Sequence, residues 1–69
     1  MNLKKLLLIE LAEKSLNAFK FFIKRNNGLA DNYAFHALGM LQAYVRVLYI
    51  VYHYNFVYDL DYNKVKPNE

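Results

Sequence analysis

Sixty-nine residues hold at most one domain, and a chain this short buries only about 60% of the surface its unfolded form exposes. With no Cys and two His, disulfides and thiolate zinc sites are excluded, which leaves self-association as the remaining stabilising device. A net charge of +3 is too small for a strong nucleic-acid footprint, and 57% hydrophobic with 17% aromatic residues excludes a disordered chain.

The frequent Asn, Lys, Ile, Phe and Tyr are served by AT-rich codons and point to a low-GC bacterium or one of its phages or mobile elements. At the N-terminus, Lys4 and Lys5 precede Leu6-Leu7-Leu8-Ile9 as in a signal peptide, but Glu10 ends the run. A secretory apolar core needs about 7–15 residues and a small-residue cleavage site. A cytoplasmic protein is therefore expected.

Residues 3–26 have helical period. At about 100° per residue, Leu8, Leu11, Ala12, Ser15, Leu16, Ala18, Phe19, Phe22 and Ile23 share one broad face. Glu10, Glu13, Asn17, Lys20 and Lys24 lie opposite. Glu10 and Lys14 have the spacing and orientation of a favourable helical ion pair. Lys20, Lys24 and Arg25 crowd the last turns, where cations meet the negative end of the helix dipole. Asn26-Asn27-Gly28 is the stop, with Gly28 able to take the left-handed cap conformation. Phe21 departs from the pattern and forms, with Leu3 and Leu7, a second apolar stripe that is expected to meet a partner.

Leu29-Ala30-Asp31 reads as a connector, with Asp31 the N-cap of a second helix over about 32–57. So short a link implies antiparallel neighbours, an αα-hairpin. From Tyr33 to Tyr58 the chain carries one formal charge, Arg46, and six of the seven Tyr. Its strongest face holds Tyr33, Ala37, Met40, Leu41, Tyr44, Val47, Leu48, Val51 and Tyr52; its weakest holds Phe35, Gln42, Arg46, Tyr49 and His53. A helix apolar nearly all round is buried on more than one side or spans a membrane. His36, Gln42, Arg46, His53 and Asn55 interrupt it too often for a span, and Arg46 alone would cost about 2.5–3.5 kcal/mol near the bilayer centre. Gly39 and Ala43 have a small-xxx-small spacing that permits close helix approach.

Residues 1–58 are thus read as one helical hairpin domain and 59–69 as a C-terminal tail, extended and alternating in polarity from Tyr58 to Tyr62. The expected architecture is all-α. Two hairpins pair into a dimeric four-helix bundle with Met40, Leu41, Tyr44, Val47, Leu48 and Val51 in the dimer core.

Catalytic constellations are missing from the sequence. It has no phosphate-binding Gly loop, no nucleophile elbow, no HExxH and no Cys, and its one Ser, Ser15, lies on an apolar face. Glu10 and Glu13 share a solvated side and lack the contrasting environments that acid/base work requires. Arg46 and His53 lie two helical turns apart with Tyr49 between them, and such a pair can stabilise phosphate charge and move a proton. This spacing resembles that of the HEPN ribonuclease family, which would imply RNA cleavage by a dimer. The residue after the Arg, polar in that family, is Val47 here, and the chain is short for that fold. Exposed Phe21, Phe35 or Tyr49 can also stack on unpaired bases.

The reading that follows is a non-enzymatic regulatory or adaptor protein, a homodimer that meets a protein partner through Phe21, Phe35, Arg46, Tyr49 and His53. No catalytic residue, cofactor, metal or membrane is expected. A weak nucleic-acid-binding module is the second reading and a ribonuclease using Arg46 and His53 the third.

Overall fold

The computed structural model describes residues 2–58 and 66–67. In chain order these form α1 (Leu3–Arg25), β1 (Leu29–Ala30), α2 (Asn32–Tyr52) and β2 (Lys66–Pro67). The two helices pack side by side as a hairpin, 42 × 16 × 15 Å overall.

Local chemistry sets each helix boundary. Asn2 caps α1, its side-chain oxygen accepting from the Lys5 N–H at 3.2 Å. At the other end Gly28 N–H donates to the Ile23 carbonyl at 2.8 Å and Asn27 N–H to the Lys24 carbonyl at 3.3 Å. That is the Schellman arrangement, and Asn27 (φ 57°) occupies the left-handed position its sequence neighbour was expected to take. Gly28 follows with φ 85°. The Asn26 side chain donates to the Leu29 carbonyl at 3.2 Å and fastens the turn. Asp31 caps α2, accepting from the Ala34 N–H at 2.9 Å.

Half of the buried residues in the seam between the helices are small. Ala12, Ser15, Phe19 and Ile23 on α1 meet Ala34, Ala37, Leu41 and Leu48 on α2. Ala12, Ala34, Leu41 and Leu48 have no exposed surface, and Ala30 has 1%. Small side chains let the axes approach closely, but they bury little apolar area. Leu41 and Leu48 are the largest fully buried side chains, each worth about 1.5–3 kcal/mol when removed from water.

α2 ends at Tyr52, five residues before the sequence pattern suggested. His53 turns left-handed (φ 53°), and the Tyr54 N–H reaches back to the Leu48 carbonyl at 3.0 Å. From there the chain is extended with strict alternation: Tyr54, Phe56 and Tyr58 are half-buried, whereas His53, Asn55 and Val57 are exposed. The inward rings pack on the seam around Leu41 and Leu48, and Lys5 Nζ lies 5.0 Å from the Tyr54 ring centre. β2 pairs in parallel with β1, Leu29 opposite Lys66 and Ala30 opposite Pro67. The connector thus carries a two-residue strand. The expected alternation from Tyr58 to Tyr62 lies outside the described residues beyond Tyr58.

Neither Gly39 nor Ala43 lies in the seam; both are exposed, and a Cβ added at Gly39 meets nothing within 4 Å. Replacing Gly39 by Ala should therefore stabilise the fold by about 0.8–1.0 kcal/mol, read as a higher urea midpoint. Leu41→Asp should abolish folding, because the new carboxylate would be buried without a partner. Helical circular dichroism with a sharp melt in that variant would contradict the assignment of Leu41 to the core.

Candidate interaction surfaces

The hairpin has two broad sides, and the chain treats them differently. On one, the back, the segment 53–58 lies along the helices. On the other, the front, nothing among the described residues covers the groove between α1 and α2. Helical geometry puts Leu11, Ala18 and Phe22 along one wall of this groove and Tyr33, His36 and Met40 along the other. Its volume is about 290 Å³, and the buried Ser15 and Ala37 line its floor. The same front side continues along α2 through Val47 (41% exposed) and Val51 (58%), and along α1 to Leu7 (55%). Contiguous exposed apolar surface on this scale marks a contact site. Lys14, at the groove edge, is engaged by Glu10 at 3.3 Å, an exposed pair that contributes little to stability.

The back carries a shallow recess of about 450 Å³ lined by Gln42, Val45, Arg46, Tyr49, Asn55 and Tyr58. Two carboxamides, two phenols and one guanidinium make it far more polar than the front groove. No cluster of three His, Cys, Asp or Glu able to hold a metal exists among the described residues.

A third feature lies at the turn end. The Arg25 guanidinium sits 5.8 Å from the Phe21 ring centre and 5.2 Å from that of Phe22. Phe21 meets Phe22 edge-on at 5.6 Å, and Phe22 meets Tyr33 at 5.7 Å.

The residues singled out from the sequence therefore fall into separate groups. Arg46 and Tyr49 share the back recess; Phe35 is exposed on α2 without lining it. Phe21 stands on the other helix, in the aromatic cluster with Arg25. His53 is exposed and serves as the left-handed C-cap of α2; it does not line the recess that holds Arg46. Of the six expected dimer-core residues, Leu41 and Leu48 fill the hairpin's own seam, Tyr44 is half-buried, and Met40, Val47 and Val51 are exposed on the front. The sequence reading missed Arg25 as a neighbour of Phe21, although their i,i+4 spacing made the contact legible. It also missed Asn55, because the expected helix ran through it, and Tyr58, which was placed at the start of the alternating tail.

No family model, no curated protein and no solved structure matches the chain.

A cap role for His53 has a direct consequence. His53→Gly should leave the melting temperature unchanged or raised, whereas His53→Val should lower stability by about 1–2 kcal/mol, because a β-branched residue resists the left-handed conformation. Equal melting curves for the two variants would remove the backbone constraint from the account.

Proposed function

We propose that this protein is a small non-enzymatic regulatory or adaptor protein that works by protein–protein contact. It does so as a homodimer in which two hairpins join front to front into a four-helix bundle. One observation carries this reading. The chain covers the back of its hairpin with its own segment 53–58 and leaves the apolar front open.

A second hairpin suits the open side. The front is a long, nearly straight strip, and helices are the elements that fill a groove between helices. The exposed Met40, Val47 and Val51 supply apolar knobs, with Tyr44 beside them half-buried. In such an assembly Phe21, Phe35, Arg46, Tyr49 and His53 stay outward and free to meet another protein, and the whole remains in the cytoplasm.

α2 alone is long and apolar enough to cross a membrane, with a mean hydropathy of 1.4 over its best window. We read it instead as the central helix of the bundle, because α1, packed along it, carries Glu10, Glu13, Lys20 and Lys24 on its outer side. Catalysis by Arg46 and His53 draws no support from the position of His53 outside the recess.

Light scattering after gel filtration should give the mass of a dimer at micromolar concentration. Val47→Asp should give a monomer that keeps its helical circular dichroism, since Val47 is outside the hairpin seam. A well-folded wild-type monomer would overturn the dimer.

A further inference from the structure

The turn end of the hairpin combines three properties that nothing above has used. First, its cations outnumber its acids among the described residues: Lys20, Lys24 and Arg25 lie in the last turns of α1, while Asp31 is occupied as the N-cap of α2, accepting from the Ala34 N–H at 2.9 Å. Lys14 is engaged by Glu10; no ion pair holds Lys20, Lys24 or Arg25 among the described residues. Second, its largest side chains are uncovered: Phe21 is 59% exposed and Tyr33 64%. Third, Arg25 is held in place, its guanidinium within 6 Å of both the Phe21 and Phe22 ring centres. The helix dipole accounts for a cation in the last turn of α1. It does not account for the Phe21 ring left 59% exposed beside that cation.

We propose that this end is a docking site for an acidic segment of a partner protein, with Arg25 binding a partner carboxylate and Phe21 meeting an apolar side chain beside it. A guanidinium presents planar, paired N–H donors that match a carboxylate, and stacking on aromatic rings lowers the entropy lost when it binds. Tyr, Phe and Arg together are the usual composition of interface anchor points, and Lys20 and Lys24 add attraction for negative charge as the partner approaches. Single-stranded nucleic acid is the less suited occupant. Bases stack on free ring faces, and here the two Phe rings pack edge to face with a guanidinium over them. The site deepens the protein-contact reading and rests on it, but it does not require the dimer.

The test is fluorescence anisotropy with a labelled, Glu-rich peptide carrying one central Phe, its Lys-for-Glu counterpart, and oligouridylate. The wild type should bind the acidic peptide in a salt-sensitive manner and ignore the basic one. Arg25→Ala should weaken binding about tenfold with unchanged circular dichroism, the scale of one charge-assisted bidentate contact. Arg25→Lys should recover only part of that loss, because it restores charge without the fork. No binding of the acidic peptide, equal binding by Arg25→Ala, or tighter binding of oligouridylate would each overturn the assignment. Light scattering on the same samples keeps the two readings apart. A dimer that ignores the peptide sinks the docking site alone, and a monomer that binds it sinks the dimer alone.

Discussion

A helix that is apolar on three sides cannot be satisfied by one neighbour, and this constraint governs the whole chain. α1 covers a single stripe of α2, the one that runs from Ala34 and Ala37 through Leu41 to Leu48. Because the stripe opens with alanines, the helices come close but bury little: Leu41 and Leu48 are its only large members. The flanks of α2, Leu38 and Val45 on one side and Met40, Val47 and Val51 on the other, still need cover.

The back flank receives its cover from the chain itself. His53 accepts the left-handed conformation, which costs about 1–2 kcal/mol for a residue with a Cβ. That turn reverses the chain and brings Tyr54, Phe56 and Tyr58 onto the seam. Three half-buried aromatic rings offset such a cost, since each full burial of a large apolar side chain is worth about 1.5–3 kcal/mol. β1 and β2 add a short parallel pairing beside the turn. The front flank has no comparable device among the described residues. The asymmetry between the two sides, rather than overall hydrophobicity, is what supports a second copy there.

How legible this was depended on whether one rule acted alone. α1 could be read from its 3.6-residue period, its Asn26-Asn27-Gly28 stop and its Glu10–Lys14 pair, because each signal agreed with the others. Asp31 was legible as a cap for the same reason. The end of α2 was obscured because Tyr52, Tyr54, Phe56 and Tyr58 fit two periods at once. Their spacing of two is that of a strand with one buried side, yet on a helix already apolar all round they look like a continuation. No Gly or Pro marks the break; His53 makes it, and His is a weak signal for positive φ. The expected pairing of His53 with Arg46 followed from that extension of the helix. Two residues seven apart share a face only if the helix runs past both. The contact of Arg25 with Phe21 and Phe22 needed no tertiary information and was overlooked, since Phe21 had been grouped by angle with Leu3 and Leu7.

The choice of a second hairpin as the proposed front cover rests on what α1 carries. Removing α2 into a bilayer would take its apolar flanks out of water, but it would also separate Leu41 and Leu48 from Ala12 and strand Phe19 and Ile23. Keeping the hairpin intact in a bilayer is worse, because Glu10, Glu13, Asn17, Lys20 and Lys24 on the outer face of α1 would enter with it. A charge held near the bilayer centre costs about 2.5–3.5 kcal/mol on the lenient scale. A second hairpin meets neither obstacle. It touches the front alone, leaves the charged side of α1 in water, and keeps the seam that holds each hairpin together.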